Sequence, residues 1–361
     1  MTGDDLQDAF GRAGEAAERS SARVERRSQA LIAPGVPTFL EAPRVDLEEM
    51  PAGLDAVFLG VPFEGVVVRD PRTFYPQGTA PAPGHDLYSR PGAYQAPAAI
   101  RQASLFFSLD HSNGLMPELG LSLGESLGIA DAGDVDVAQA PAQRALVEAS
   151  AAVRRILGAG AVPLVAGGDH LVTLFVLAGI FEATGGPVGV ITYDSHYDLS
   201  WEPRYWAGSQ WARAMELGAL RPRNLAQIGI RGLRNSVFWD AARRELGVNS
   251  YTIADVEERG LDAVTAEAIE RASDGVDALY VSIDVDAFEP SACPAQKYPE
   301  PGGFSAREVL RSLRRVMADG APLAGFDLCC LGPAYDRDHL GSSVAARCFV
   351  EVLGGLAKRK G

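Results

Sequence analysis

One apolar run is followed by three ionisable side chains at a spacing of two residues. Asp194, His196 and Asp198 come directly after the run Val188 to Tyr193. If the backbone stays extended past the strand, this period of two places all three side chains on one side. Ionisable groups that share a face beside an apolar strand need a compensating charge, and a cation provides it. The alternative interpretation is a solvated, polar strand end.

Two further apolar runs end in residues of the same kind. Asp284 and Asp286 follow the run Ala278 to Ile283, and two carboxylates at that spacing are costly together without a metal or a shared proton. His170 closes a Gly-Gly-Asp-His segment after a third run, although this segment alone is more typical of an ordinary turn and helix cap. Ligands of open parallel sheets bind beyond the carboxyl ends of the strands, so we expect the three ends to meet.

Together the three strand ends offer two imidazoles and four carboxylates. The predicted metal ligands are His170, Asp194, His196, Asp198, Asp284 and Asp286. Mixed imidazole and carboxylate ligands suit Mn²⁺, with Fe²⁺, Ni²⁺ or Zn²⁺ as alternatives. Six such ligands are too many for one catalytic ion with open positions, but they suit two ions that share carboxylates. Two ions about 3.5–4 Å apart activate a bridging water, so the predicted chemistry is hydrolysis.

The elements that must position these residues alternate along the chain. From Leu54 onward, short apolar runs that end in Gly or Asp alternate with longer helical patterns, which predicts an α/β fold with a mostly parallel sheet of about eight strands. The predicted strands are Ala56 to Val61, Gly128 to Ala130, Val162 to Val165, Val188 to Tyr193, Leu225 to Ile230, Ser250 to Ile253, Ala278 to Ile283 and Leu323 to Cys329. The predicted helices include Ala142 to Leu157, Val237 to Leu246, Ser305 to Met317 and Ser342 to Leu356.

Two segments do not follow this alternation. Residues 1–35 are rich in Ala, Glu and Arg without a strong apolar stripe, and they are predicted to form an N-terminal helical arm. Residues 36–361 are predicted to form one catalytic α/β domain, because no linker divides them. Within that domain, the connection Arg69 to Arg90 holds four prolines and is long for a compact fold, which is typical of a lid, a binding loop or an interface arm.

The composition excludes several classes of function. The 361 residues include 33 Lys and Arg against 47 Asp and Glu, a net charge of −14, and the basic residues are scattered, so we expect no nucleic-acid partner. The longest apolar run, Leu171 to Phe181, is too short to span a bilayer. The acidic residues near the N-terminus argue against a secretory signal, so the expected location is the cytoplasm. The four cysteines lack metal-ligand spacing and are expected to be buried, reduced thiols.

The motifs together resemble a known family. Gly167-Gly168-Asp169-His170, Asp194-Ser195-His196-Tyr197-Asp198 and Ser282-Ile283-Asp284-Val285-Asp286 occur in the order of the three signature motifs of the ureohydrolases, the arginase and agmatinase family. Supporting matches are Gln227 to Gly232, Pro299 to Phe304 and Gly325 to Asp327. The resemblance extends over Leu54 to Leu356. It implies a three-layer α/β/α, arginase-like fold and a binuclear manganese centre, whose hydroxide cleaves a C–N bond of a guanidino compound and releases urea or a related product.

The resemblance also implies a role for each ligand. His170 and Asp198 would bind one ion, and His196 and Asp286 would bind the other. Asp194 and Asp284 would bridge the two ions. Asp198 would also orient the hydroxide and is therefore a predicted catalytic residue. Mn²⁺ is the implied metal and Ni²⁺ the alternative. The implied assembly is a homo-oligomer, a trimer or a hexamer, with a hetero-oligomer as the alternative.

Two departures from the family pattern concern the substrate. Arginases and agmatinases place a His-Gly pair after the second motif, where the histidine is implied to assist proton transfer, and this chain has Ala207-Gly208. The family places a Glu, which pairs with the guanidinium, where this chain has Cys330, and a buried thiol tends to stay neutral. Glu289 is a smaller departure, since the family usually has Asp before that proline.

These departures leave two interpretations. Either the pocket accepts an unusual guanidino compound, not obviously arginine, or the chain is a metal-binding but catalytically weakened subunit of a hetero-oligomeric guanidine or biguanide hydrolase. Deacylation by the related deacetylase fold is a weaker alternative, because the later motifs match ureohydrolases better.

Other residues could supply the groups that Ala207 and Cys330 lack. His85, in the long connection, is the candidate proton carrier, with an exposed loop imidazole as the alternative. The predicted substrate contacts are Ser209, Trp211 and Cys330. Trp211 belongs to an aromatic segment that could wall a flat cationic ligand through cation–π contact or pack in the core. A carboxylate for the guanidinium could come from Glu64, Asp86 or Asp336, and the sequence singles out none of them.

Overall fold

A parallel sheet of eight strands lies at the centre of the computed structural model, which describes residues 37–65, 90–107, 109, 113–138, 140–202 and 205–361. The strands in chain order are β1 (Ala56–Val61), β2 (Leu115–Met116), β3 (Leu121–Ser122), β4 (Ile129–Asp134), β5 (Val162–Gly167), β6 (Val188–Tyr193), β7 (Leu220–Ile230), β8 (Asn249–Thr252), β9 (Leu279–Asp284) and β10 (Leu323–Cys329). Strands β2 and β3 pair separately as an antiparallel ribbon. The other eight follow the order β4-β1-β5-β10-β9-β6-β7-β8.

The burial of the strands explains why their sequences read as continuous apolar runs. Every residue of β1, β6, β9 and β10 is buried. Strands covered on both faces have no solvent side on which polar residues could alternate with apolar ones. The long apolar side chains of these strands therefore belong to one core, and the polar chemistry is left to the strand ends.

Helices flank the sheet. They are α1 (Ala96–Ser104), α2 (Leu123–Ser126), α3 (Ala142–Gly158), α4 (Val172–Thr184), α5 (Gln210–Leu217), α6 (Val237–Leu246), α7 (Ile253–Arg259), α8 (Leu261–Ser273), α9 (Ala306–Asp319) and α10 (Leu340–Lys360). Helix α9 begins at a reciprocal capping box, in which Ser305 accepts from the Glu308 amide and the Glu308 carboxylate accepts from the Ser305 amide. The predicted α/β fold with an eight-stranded, mostly parallel sheet is confirmed.

The C-terminal helix α10 is long and apolar enough to cross a membrane by composition alone, but 67% of its apolar window is buried inside the protein. Its buried Glu351 accepts hydrogen bonds from Arg314 Nε at 2.7 Å and from Arg347 Nη2 at 2.6 Å. Two arginines on one buried carboxylate are typical of a helix packed into a protein core. We therefore interpret α10 as a core helix.

The element bounds differ from the sequence prediction mainly where the apolar runs are interrupted. Strand β7 begins at Leu220, five residues before the predicted start, because Arg221, Pro222 and Arg223 hide the strand pattern. Helices α5 and α8 were not among the predicted helices: α5 is only eight residues long, and α8 follows α7 with Gly260 alone between them. The predicted N-terminal arm, residues 1–35, lies outside the described residues, as do residues 69–89 of the long connection.

Candidate metal centre

The carboxyl ends of four adjacent strands meet at one place on the sheet edge. Strands β5, β10, β9 and β6 are consecutive in the sheet, and each is followed within a few residues by a polar side chain or a thiol. His170 follows β5, Cys330 follows β10, Asp286 follows β9 and Asp194 follows β6. The parallel direction of the strands brings these residues together although up to 160 positions separate them in the sequence (330 − 170).

The backbone just past these strands is not extended, whereas the spacing of two residues predicted an extended backbone there. Strand β6 ends at Tyr193, and Asp198 adopts a left-handed conformation with φ of 48°. Asp286 lies in a single 3₁₀ turn, Val285–Ala287, which Asp284 caps by accepting a hydrogen bond from the Asp286 amide. The side chains thus converge because tight turns fold them back over the strand ends. The alternation pattern therefore identified residues that do lie close together, although turns and not an extended backbone bring them together.

Two groups of potential ligands share one aspartate. The first is His170, Asp194 and Asp198, and the second is Asp194, His196 and Asp286. In each group the ligand atoms lie within 4.8 Å of one another, and all of the residues are buried. Asp284 lies beside the first group, with its Oδ2 atom 3.4 Å from His170 Nδ1. Two cation sites bridged by Asp194 are the arrangement that this geometry offers.

The carboxylates are held by their own backbones. Asp194 Oδ1 accepts a hydrogen bond from the His196 amide at 2.6 Å, and Asp284 Oδ1 accepts one from the Asp286 amide at 2.9 Å. Asp286 Oδ1 accepts from the Ser195 amide at 3.0 Å and from the Ser195 hydroxyl at 2.7 Å. In each case one oxygen is fixed and the second is left for another partner.

The second oxygens fit a pair of bound cations. Asp194 Oδ2 and Asp286 Oδ2 are buried and have no hydrogen-bond partner among the described residues. Asp194 Oδ2 lies 3.2 Å from His170 Nδ1, and Asp286 Oδ2 lies 3.1 Å from His196 Nδ1, in both cases without the angle of a hydrogen bond. A buried carboxylate oxygen without a partner is costly, and a divalent cation between oxygen and imidazole removes that cost. The residues present therefore suit two metal ions.

His170 is oriented from behind by a hydroxyl and a carboxylate. Its Nε2 atom lies 3.1 Å from Ser282 Oγ, and Ser282 in turn donates to Asp327 Oδ1 at 2.6 Å. Asp327 Oδ2 also accepts from Thr173 and from the Tyr280 hydroxyl. This chain of contacts favours the tautomer with hydrogen on Nε2, which leaves the Nδ1 lone pair facing the carboxylates of the metal groups.

Gln210 supports Asp198 in a similar way. It is fully buried at the start of α5, and its Nε2 atom donates to Asp198 Oδ2 at 2.6 Å. The left-handed backbone of Asp198 persists only where surrounding contacts hold the residue, and the hydrogen bond from Gln210 is one such contact. No sequence pattern indicates this role, since a single glutamine twelve residues downstream of Asp198 matches no ligand spacing.

Replacing Gln210 by Leu is expected to weaken the cation site that contains Asp198 and to lower turnover by about 10- to 100-fold, the usual loss when a supporting hydrogen bond to a metal ligand is removed. The site made by His196 and Asp286 does not contact Gln210 and should bind its ion as before. Metal content after dialysis is the measurement, with the exposed Gln95→Leu as the control. Two tightly held ions in the Gln210→Leu protein would contradict this role.

Burial and mutual repulsion perturb the protonation of the metal-free site. Burial raises the pKa of Asp194 to about 7, aided by the negative charges of Asp198 and Asp286. Burial lowers the pKa of His196, but the contacts with Asp286 and Asp194 outweigh it and raise that pKa to about 10. The pKa of His170 lies well above its usual value because its carboxylate neighbours outweigh its burial. Without a metal, the site therefore holds protons that a cation must displace.

The pH dependence of the metal-free protein follows from these shifts. A buried Asp with a raised pKa costs stability as pH rises from 3.8 through about 7. A His with a raised pKa contributes stability that is complete below 6.5 and is lost as pH rises through about 10. Both effects predict a lower melting temperature for the metal-free protein at pH 8.5 than at pH 6, while metal binding strengthens because fewer protons compete. Melting curves at both pH values, with and without metal, test this, and a metal-free protein that gains stability over that range would contradict it.

The predicted substrate residues lie in different surroundings. Ser209 is buried and exchanges hydrogen bonds with the Trp206 backbone, and Trp211 is fully buried with its ring edge-on to His170 at 5.6 Å. Cys330 is buried beside Asp284, with φ of 67°. Asp336 accepts hydrogen bonds from Gly341 and Ser342 at the start of α10. His85 and Asp86 lie outside the described residues.

The remaining thiols and the aromatic residues also have defined positions. Cys293, Cys329, Cys330 and Cys348 are buried and free, as the sequence predicted. Trp201 and Tyr205 are about two-fifths exposed, with relative accessibilities of 41% and 42%, whereas Trp206 packs against Trp239. Within the aromatic segment, the structure shows a contact between Trp211 and a histidine of the metal groups, His170.

Comparison with known proteins gives a consistent result. A model of the arginase family matches residues 54–354. Guanidinopropionase of Pseudomonas aeruginosa is 32% identical over 334 residues, covering 90% of this chain and 92% of that protein. The mitochondrial guanidino acid hydrolase of Homo sapiens is 29% identical over 336 residues, covering 90% of this chain and 87% of that protein. The solved structure of proclavaminate amidinohydrolase from Streptomyces clavuligerus has a TM-score of 0.74 at 29% identity and covers 90% of this chain and 97% of its own.

Proposed function

The chain belongs to the arginase family, and we propose that it is a binuclear-metal amidinohydrolase that cleaves a C–N bond of a guanidino compound and releases urea or a related product. One observation carries this proposal: two groups of buried imidazole and carboxylate ligands share Asp194 at the carboxyl ends of the sheet. The names of the similar proteins point to guanidino acids and to proclavaminate as substrates of those relatives.

The ligand set would hold two divalent cations, with Mn²⁺ as the first choice and Ni²⁺ as the alternative. Asp194 and Asp284 would bridge the ions, His170 and Asp198 would complete one site, and His196 and Asp286 would complete the other. When bound, such a pair makes a shared water acidic enough to lose its proton near neutral pH. A guanidinium is a poor electrophile because of its resonance, so a nucleophile already held in position is what its hydrolysis requires.

The residues of this chain have separate tasks in that reaction. Asp198, fixed by Gln210, orients the attacking group from one side. Ser282 and Asp327 keep His170 in the tautomer that can bind a cation. Ala207 has no group that could transfer a proton, and we propose that His85 fulfils that task, as the histidine of the long connection.

A panel of guanidino compounds tests the proposal directly. The purified full-length chain, loaded in turn with Mn²⁺ and Ni²⁺, is assayed for urea and ammonia with arginine, agmatine, guanidino acids, alkylguanidines and biguanides. We expect two ions per chain and urea from at least one compound. Metal content far below two ions per chain, or no product from a loaded protein with any compound, would count against it.

A second candidate function rests on Ala207 and Cys330. Both positions lack the ionisable groups that the family uses, and Cys330 is buried. The chain could accordingly be a metal-binding subunit of a hetero-oligomeric guanidine or biguanide hydrolase, whose partner chain supplies the missing groups. Activity that arises only after mixing with a paralogue would favour this candidate, and full activity of the chain alone, as a homo-oligomer, would eliminate it.

A further inference from the structure

The loop between β7 and α6 holds the turn that carries His196. Asn235 lies in this loop, and its side-chain amide makes three hydrogen bonds to backbone groups. Nδ2 donates to the Ser195 carbonyl at 3.0 Å and to the Arg231 carbonyl at 2.7 Å, and Oδ1 accepts from the Tyr197 amide at 2.8 Å. An amide side chain has two N–H donors and one carbonyl oxygen, so both donors and the oxygen of Asn235 have partners.

These three contacts fix the two peptide groups that flank His196. The Ser195 carbonyl belongs to the peptide group before His196, and the Tyr197 amide belongs to the peptide group after it. The next peptide group is held by Gln227, whose Nε2 atom donates to the Tyr197 carbonyl at 2.8 Å. Because a peptide group is planar, holding one of its atoms restricts the whole unit. Asn235 therefore helps to set the direction of the His196 imidazole from both sides.

The same loop holds Asp286, which like His196 belongs to the second ligand group alone. The Arg231 guanidinium donates to the Asp286 carbonyl through Nη2 at 2.6 Å, while Asn235 holds the Arg231 carbonyl. The Asp286 carboxylate accepts from the amide and the hydroxyl of Ser195, whose carbonyl accepts from Asn235. Both unshared ligands of the second group are thus held by contacts that lead to Asn235.

The first ligand group is supported from elsewhere in the fold. Gln210 at the start of α5 fixes Asp198, and Ser282 on β9 fixes His170. Neither supporting residue belongs to the loop after β7. The two groups share one aspartate but have separate supports, so a change at Asn235 should affect the second group more than the first.

The loop that carries Asn235 is lightly packed. Asn235 itself is only partly buried, and every residue of the following helix α6 is at least partly exposed. Leu233 and Phe238, on either side of Asn235, are also exposed. Segments with few buried apolar contacts open locally at low cost. The hydrogen bonds of Asn235 therefore restrain a segment that could otherwise move, and their loss should loosen the second group without unfolding the core.

We propose that Asn235 is a positioning residue that sets the affinity of the second cation site, formed by Asp194, His196 and Asp286, with little effect on the first site. The inference rests on the proposed binuclear centre and names a residue on which one of its two ions depends. His196 Nδ1 and Asp286 Oδ2 lie 3.1 Å apart, and a cation bound between them needs both groups held in fixed directions. Asn235 supplies that restraint through their backbones.

The affinity of each site for Mn²⁺ tests this role. Asn235→Leu removes all three hydrogen bonds while keeping the branched shape of the side chain, and Asn235→Ala removes them together with its bulk. Chelator competition gives the two affinities, and anomalous diffraction from Mn²⁺-loaded crystals shows which site has lost occupancy. We expect the second site to bind Mn²⁺ about 10- to 100-fold more weakly in both variants, and the first site to stay close to its wild-type affinity.

Two further variants provide matched controls. Gln210→Leu should give the reverse pattern, with a weaker first site and an unchanged second site. Asn249 is partly buried like Asn235, and its Nδ2 atom donates to the Arg223 carbonyl at 2.7 Å on the far side of β7 from the metal groups. Asn249→Leu therefore removes a contact of the same kind and should retain both ions.

Turnover in excess Mn²⁺ separates positioning from general damage to the fold. If Asn235 acts by holding ligands, a large excess of Mn²⁺ should refill the second site and restore most of the urea release of Asn235→Leu. Unchanged second-site affinity in both Asn235 variants, equal losses at both sites, the same loss in Asn249→Leu, or failure of both Asn235 variants to fold would each overturn the proposal. Selective loss of the second ion, in a protein whose wild type releases no urea, would support the role of Asn235 and remove the hydrolase function instead.

Discussion

Replacing Asp194 by Asn is expected to remove both metal ions and to lower turnover by more than about 100-fold. The loss should exceed the 10- to 100-fold loss that is usual when a residue that only supports a metal ligand is replaced. Asp194 is the residue common to the two ligand groups. An amide in its place offers one neutral oxygen and an N–H donor, and the latter cannot bind a cation. A change at any unshared ligand should affect one site more than the other.

The same variant should be at least as stable as wild type when no metal is present. Burial and two neighbouring carboxylates raise the pKa of Asp194 to about 7, so its charge destabilises the metal-free fold at higher pH. The Asn side chain removes that cost, although it also removes the gain in melting temperature that metal brings. The expected pattern is thus an unchanged or higher melting temperature without metal and little response to added Mn²⁺.

The measurements for this variant are metal content, melting temperature with and without Mn²⁺, and urea release from the best substrate of the panel. Asp277→Asn, an exposed substitution of the same chemistry, is the control. If the Asp194→Asn protein held two ions and kept most of its turnover, the shared-carboxylate arrangement would be wrong. A protein that fails to fold even without metal would contradict the argument from the raised pKa.

The sequence predicted the ends of the buried strands better than the geometry beyond them. The bounds of β1, β6 and β10 agree with the apolar runs, because each run begins directly after Asp55, Pro187 or Pro322, a sharp chemical boundary for a strand that is buried on both faces. The positive φ of Asp198 and the 3₁₀ turn around Asp286 follow from tertiary contacts and carry no periodic signal. Period-two reasoning could therefore find the ligands without describing how they meet.

The contacts of the supporting residues could not be predicted from sequence patterns for another reason. The ion pair between Glu64 and Lys297 joins positions 233 residues apart, and the contact between Ser282 and Asp327 joins positions 45 apart. Ser282 and Asp327 lie in motifs that the sequence singled out, and Glu64 was one of three candidate carboxylates, but no local pattern indicates which residue each of them contacts. Their partners are determined by which strands are adjacent in the sheet, so their roles emerge only after the order β5-β10-β9 is known.

Replacing Arg101 by Met is expected to lower the free energy of unfolding by about 3–5 kcal/mol, the usual cost of leaving a buried charge without its partner. Arg101 lies in α1 with 2% of its side chain exposed, and it donates to Asp131 through Nε at 2.8 Å and through Nη2 at 2.9 Å. Asp131 also accepts from the amides of Phe39 and Gly133. One guanidinium thus neutralises the carboxylate that ties the N-terminal part of the described chain to β4.

The cost of Arg101→Met should arise from the orphaned carboxylate more than from lost packing. The double variant Arg101→Met/Asp131→Asn removes both charges of this buried pair and should recover part of the loss. Arg154→Met breaks a pair with both side chains about half exposed and should change stability by less than about 1 kcal/mol. Urea denaturation midpoints measure all three. None of these residues belongs to the metal groups, so metal content under native conditions should stay at the wild-type value in each variant. A double variant less stable than Arg101→Met would instead show that the Asp131 carboxylate stabilises the fold through its backbone contacts even without a cation.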